Sequence, residues 1–299
     1  MEVSFKSQCG IALLSLAMLA SCAPNNQNAS NALAGNIVGG RNMSLKDQKK
    51  AGVVGIVIST ADGMGICTGS LIAKNIVLTA AHCLDESESP IQNIYVVFAE
   101  NIESAKPEQI RIASTGVAHE GFAPSAPDSG KSWNDVALLK LSEDAPADFK
   151  LALLPSADLK LNVGQKLIQS GYGRAEADRA STTDSSGVLR TVSGIGILAI
   201  SADGLELQMD EAKKGSCNGD SGGPAYLKTS KGQVVVGVDS RGTSQTSCIG
   251  VGIYTNVVAQ LAWIKENMQS LQAQPAAVPA PALAQNAAAP ATPAPSATP

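Results

Sequence analysis

The chain of 299 residues is 44% hydrophobic and 16% charged with 28 glycines, enough apolar material for one large or two small domains. A formal net charge of −4, no basic cluster and an aromatic content of only 3% argue against a nucleic-acid partner. No apolar run reaches the roughly 18 to 20 residues of a membrane-spanning helix.

Residues 1–21 read as an export signal, with Lys6 in a short polar start and an apolar stretch from Ile11 to Ala20. The tetrapeptide Leu19-Ala20-Ser21-Cys22 resembles the bacterial lipoprotein box, which implies lipidation of Cys22. The polar residues 22–36 then serve as a tether or propeptide. Ala23 after the cysteine implies, by the same resemblance, an exported protein anchored to the outer membrane on its periplasmic or surface face, or released from it.

Short apolar or alternating runs separated by turn signals follow: Val53–Ile58, Cys67–Ile72, Ile76–Leu78, Ile94–Phe98, Gln109–Ser114 and Val136–Leu141. A second set comprises Lys166–Ser170, Gly194–Ile200, Leu205–Met209, Pro224–Leu227, Val234–Asp239 and Gly250–Thr255. Strands at such spacing predict an all-β, antiparallel sandwich or barrel architecture. Asp203-Gly204 predicts a tight hairpin between two of them. Val258, Leu261, Ile264 and Met268 share one face of a helix predicted over 258–268, and the Ala/Pro-rich residues 271–299 predict a disordered tail.

The stretch from Gly215 to Pro224 holds four glycines and a proline in ten residues, so it is a loop that presents Ser221. A serine hydroxyl needs a base to become a nucleophile, and the base needs an orienting group. Only two histidines are available, and His82 follows the apolar run Ile76 to Leu78. Asp135 stands at the mouth of another apolar strand, while His119 reads as a surface or satisfied histidine.

Four segments, Ile37-Val38-Gly39-Gly40, Thr79-Ala80-Ala81-His82-Cys83, Asn134-Asp135-Val136-Ala137-Leu138-Leu139 and Gly219-Asp220-Ser221-Gly222-Gly223-Pro224, resemble the chymotrypsin and trypsin family of serine peptidases, in the family's order of His, Asp and Ser. The resemblance spans about residues 37–268. It implies two six-stranded antiparallel β-barrels, here 37–150 and 151–270, with the active site in the cleft between them and a closing C-terminal helix. Ser221 would be the nucleophile, His82 the base and Asp135 its orienting carboxylate, with the N–H groups of Gly219 and Ser221 as oxyanion hole.

The same resemblance implies that the freed amine of Ile37 pairs with Asp220 on activation, although Asn36 is not a residue after which a trypsin-like activator cuts. It assigns the specificity pocket to Gly215, Ser216, Ser240, Gly242 and Gly252, with Ser240 also reaching Asp135. Gly215 at the pocket floor predicts a neutral pocket that favours apolar side chains, unless Asp239 restores a basic preference; Arg241 would neutralise it. Of six cysteines, Cys9 lies in the signal and Cys22 is lipidated, which leaves four and three possible pairings. The resemblance selects Cys67 with Cys83 and Cys217 with Cys248.

The cysteines lack C-x-x-C spacing and the histidines are too few for a zinc site, so no metal or other cofactor is expected; Glu100, Glu103 and Glu108 read as well as a solvated surface as a calcium site, and none is assigned. The expected partner is a protein or peptide substrate of a monomeric enzyme. Two alternatives differ in class: a catalytically silent binding module on the same fold, and a non-enzymatic envelope lipoprotein.

Overall fold

The computed structural model describes residues 37–87, 89–124 and 131–274. The expected export signal, Cys22 and the tether lie outside these residues, as does the chain beyond 274. Strand β1 (Arg41–Asn42) leads into helix α1 (Leu45–Ala51). The Ser44 hydroxyl accepts from Asp47 N at 3.2 Å, and Gly52, left-handed at φ 70°, donates its N–H to Gln48 O at 2.8 Å. This helix was not among the expected elements; its signals are the serine cap and the glycine stop.

The first barrel comprises β2 (Val53–Thr60), β3 (Met64–Ala73), β4 (Ile76–Thr79), β5 (Ile91–Val97), β6 (Ile110–Ala118) and β7 (Ala137–Leu141). It closes in the order β2-β3-β4-β7-β6-β5. Val77 faces Leu139 and Leu78 faces Leu138 across β4 and β7, and all four are fully buried. Leu138→Ala is expected to cost about 2–5 kcal/mol, because a packed barrel closes only partly over the cavity. Urea unfolding checks this as a lower midpoint with unchanged slope.

The second barrel comprises β8 (Lys166–Gly171), β9 (Arg190–Ile200), β10 (Glu206–Glu211), β11 (Pro224–Thr229), β12 (Gly232–Gly242) and β13 (Gly250–Asn256). Its order is β9-β10-β13-β12-β11-β8, with β8 pairing back to β9, and β1 adds to β9. All twelve expected strands are present, in two closed six-stranded antiparallel barrels. The hairpin between β9 and β10 turns at Gly204 (φ 76°), where Asp203 Oδ1 accepts from Ser201 Oγ at 2.6 Å and Leu205 N at 3.0 Å.

Two buried tyrosines of the second half tie the barrels together. Tyr172 donates its hydroxyl to Ala99 O at 2.6 Å and accepts from Gln48 Nε2 at 2.8 Å; Tyr226 donates to Ala51 O at 3.1 Å. A phenol buried this deeply needs a polar partner, and here the partners lie in the first half of the chain.

Helix α2 runs over Leu261–Ala273, not 258–268. Lys140, buried on β7, donates its ammonium to Leu271 O at 2.8 Å and Gln274 O at 2.6 Å, so a cation satisfies carbonyls at the helix's C-terminal end. Leu271 is buried, and the first residues assigned to the disordered tail are helical. Composition carried no sign of this, because the lysine lies far away in sequence.

Candidate active site

Asn134 is held at φ 52°, a left-handed conformation that asparagine tolerates. Its side chain accepts from Gln260 Nε2 at 2.9 Å and donates to Gly121 O at 3.1 Å. The turn sets Asp135 two residues ahead of β7 with no solvent exposure. One carboxylate oxygen accepts from His82 N at 2.9 Å, and the other from His82 Nδ1 at 2.7 Å and Ser240 Oγ at 2.6 Å. Thr255 Oγ1 donates to the Asp135 carbonyl at 2.8 Å. A carboxylate only accepts, so Nδ1 carries the proton and Nε2 of the neutral ring is left with a lone pair.

Burial pushes the His82 pKa down, but the Asp135 charge and hydrogen bond outweigh it and leave the imidazole above its ordinary 6.5. For Asp135, burial pushes up while the His82 charge, the His82 and Ser240 hydrogen bonds and the His82 N–H pull down, and the carboxyl ends below its ordinary 3.8. The pair is therefore arranged to share charge.

The Ser221 loop is held from the first barrel. Thr68 N on β3 donates to Ser221 O at 2.8 Å, and Thr68 Oγ1 donates to Gly219 O at 2.9 Å. A Cβ at Gly222 would collide with Thr79 Oγ1 and lie 2.9 Å from Ala80 N, so the loop abuts the turn that carries His82 (Ala81–Leu84). Cys83 Sγ lies 3.8 Å from Ser221 O, and the disulfides are Cys67–Cys83 and Cys217–Cys248. Cys67, His82 and Cys83 are close enough to one another to share a metal ion, but the disulfide consumes both thiols.

Backbone orientation makes an anion site. Asn218 O accepts from Arg174 N at 2.9 Å and Asp220 O from Gly223 N at 2.8 Å. In a trans peptide the N–H points opposite to the carbonyl, so the N–H groups of Gly219 and Ser221 face away from these bonds. Neither donates to another group among the described residues. Gly219 is at φ 98°, and a Cβ there would lie 2.9 Å from Gly173 Cα. Two free donors beside a serine are what a developing oxyanion requires.

Asp220 accepts from Gly173 N at 2.8 Å and Cys217 N at 2.9 Å. Burial pushes its pKa up to about 7 against these bonds and the charge of Arg190. Ile37 is buried in the second barrel's core, and Val38 O accepts from Gly215 N at 3.0 Å.

Around the expected pocket the structure adds a residue that sequence reasoning missed. A Cβ at Gly215 would lie 2.6 Å from Glu211 Cβ, and one at Gly252 would lie 2.6 Å from Glu211 Oε1. Glu211 thus fills the space beside both glycines. The expected neutralisation of Asp239 by Arg241 does not occur, because Arg241 grips Glu206 with two bonds of 2.8 and 3.0 Å and lies 4.1 Å over the Trp133 ring. His119 stacks on Trp263 and accepts from Gly121 N at 2.9 Å, which leaves it no part in the site. Glu100, weighed as a calcium ligand, accepts from Leu45 N at 2.6 Å.

Comparison with known proteins agrees with this geometry. A trypsin family profile matches residues 37–264. Granzyme-like protein 2 of Rattus norvegicus is 30% identical over 215 residues, covering 69% of this chain and 79% of that protein. Matching strands, cleft loops and profile together, the chain belongs to the trypsin family.

Proposed function

We propose that the protein is a serine endopeptidase acting through an acyl-enzyme. The observation that carries this reading is the buried Asp135 carboxylate, bonded at 2.7 Å to His82 Nδ1, beside a loop that offers Ser221 and two free N–H groups. Ser221 attacks the peptide carbonyl, His82 takes its proton and returns it to the leaving amine, and Asp135 fixes the tautomer and balances the imidazolium. Gly219 and Ser221 N–H hold the oxyanion, and water then repeats the sequence on the ester. A serine-directed fluorophosphonate tests it: covalent labelling at Ser221 is expected, and an unlabelled, folded protein would leave the silent binding module.

The enzyme is made as a zymogen activated by cleavage before Ile37. Two features support this. Asp220 is a buried carboxylate whose neighbours include two N–H donors but no ion-paired cation among the described residues. Ile37 is held at φ 45°, a conformation that costs a β-branched residue about 1–3 kcal/mol. Cleavage removes the peptide that defines this dihedral and frees an amine for Asp220. Amino-terminal sequencing is expected to find Ile37 in the active form; full turnover by protein that retains Asn36 would end the activation reading.

Export, lipidation at Cys22 and outer-membrane anchoring complete the proposal, supported by the signal-like residues 1–21 and the polar tether. For the pocket, Gly215 supports a neutral floor, while Glu211 fills the space beside Gly215 and Gly252.

A further inference from the structure

The fold gathers cations that lie far apart in the sequence. A surface hollow of about 1130 Å³ is lined by Arg41, Lys50, Lys150, Lys214, Lys228 and Lys231, with Asp47 as the one carboxylate of its lining. The whole chain has 22 basic and 26 acidic residues, so six against one is a strong local bias. The six come from β1, the end of α1, the residue before Leu151, the stretch after β10 and the hairpin of β11 and β12, so no basic run marks them in the sequence. Among the described residues none of them forms an ion pair. Lys214 donates to Ser193 O at 2.6 Å and Arg41 to Asn42 O at 3.5 Å, while Asp47 accepts from Ser44 Oγ at 2.9 Å.

Two apolar side chains stand among these charges. Leu151 and Leu153 line the same hollow and are 43% and 40% exposed. They leave water only against a partner that offers apolar surface beside its anionic groups, and a sulfated polysaccharide offers charge alone. Lysine stems can lie along such leucines with their ammonium groups reaching outward. An adjoining hollow, lined by Leu45, Lys46, Lys49, Lys50, Asp148 and Lys150, extends the face, with one ion pair in it, Lys49 to Asp148 at 2.5 Å. The chain enters the described residues at Ile37, and Gly39 and Gly40 already line the larger hollow. Strand β11 begins three residues after Ser221 and ends at the hollow with Lys228 and Thr229, roughly 17 Å of strand further on.

We propose that this face docks on an anionic lipid surface, with the cations against headgroup phosphates and the two leucines at the acyl boundary. The choice of lipid rests on the reading of residues 1–21 as an export signal and of Cys22 as lipidated. An acyl group on Cys22 would hold the face within about 50 Å of the membrane, the full stretch of residues 22–37, where headgroups are locally concentrated. Docking then turns the Ser221 end of β11 away from the lipid.

The test is acetylation footprinting of the full exported chain, read at each lysine by mass spectrometry. Vesicles are of phosphatidylcholine alone or of phosphatidylcholine and phosphatidylglycerol in equal parts. At low salt the mixed vesicles are expected to slow acetylation of the exposed Lys50, Lys150, Lys228 and Lys231 by at least about tenfold, and to leave the exposed Lys106 and Lys265 unchanged. High salt should abolish the effect. The double variant Lys228→Glu/Lys231→Glu should lose the protection of Lys50 and Lys150 while keeping the parent's thermal midpoint; should it fail to fold, Lys150→Glu is the second reversal and should weaken the protection of Lys50. Equal acetylation with both kinds of vesicle would overturn the proposal, as would protection by inorganic phosphate or a sulfated polysaccharide that matches the mixed vesicles. Mass analysis of the amino-terminal peptide separates the two readings. Protected lysines on a chain with unmodified Cys22 would leave docking standing and remove the anchor, and an acylated Cys22 with unprotected lysines would do the reverse.

Discussion

Ser221→Ala is expected to lower kcat by about 10⁶-fold, the scale on which a lost nucleophile acts when base and oxyanion donors remain. Stability should hardly change. The Ser221 hydroxyl makes no hydrogen bond within the described residues, and the loop is held through its carbonyls by Thr68, which the substitution leaves in place. A thermal midpoint within a few degrees of the parent, with turnover gone, is the expected pair of results. Turnover that survives would remove Ser221 from the chemistry, and a collapsed midpoint would mean that the loop needs the hydroxyl for folding.

Asp135→Asn should cost about 10⁴-fold in kcat. The amide that replaces one oxygen donates rather than accepts, so it draws the Nδ1 lone pair of His82 toward itself and moves the ring proton to Nε2, where the base is needed. The pH profile should change as well. In the parent, His82 is raised above 6.5, and activity is present above that raised value and lost as pH falls through it. The charge of Asp135 is the largest cause raising it, so the acid limb of kcat/KM in the variant should move to lower pH.

Stability follows the opposite logic. The raised His82 contributes fully below 6.5 and the depressed Asp135 fully above 3.8, so the pair's contribution is complete only between those values. The loss of thermal midpoint in Asp135→Asn should be greatest in that window. An unmoved acid limb would detach Asp135 from the base.

Much of this was legible in the residues. The twelve strands announced themselves because each barrel strand needs apolar residues on a fixed face, and the hairpin because Gly204 supplies a positive φ. His82, Asp135 and Ser221 stood out because reactive side chains sit in short motifs at strand ends. Thr68 did not, since a threonine within a strand reads as a strand former and its partners in the Ser221 loop are about 150 residues away. Glu211 did carry a signal: alternation from Leu207 through Met209 aims it inward, where a lone carboxylate is costly. Reading the floor by its offset from Ser221 hid that signal. Arg241 and Glu206 are a long-range pair, and neither residue alone foretold the other.

The carboxylate at the heart of the site belongs to neither barrel alone. His82 and the Asn134 turn hold Asp135 from one side, Ser240 and Thr255 from the other, and Thr68 returns the hold by gripping the Ser221 loop. A slight parting of the halves therefore disarms the catalyst while each barrel keeps its own closed sheet. If the proposed peptidase activity holds, this is a safeguard: a copy that has begun to open has already lost the arrangement that the proposed chemistry needs.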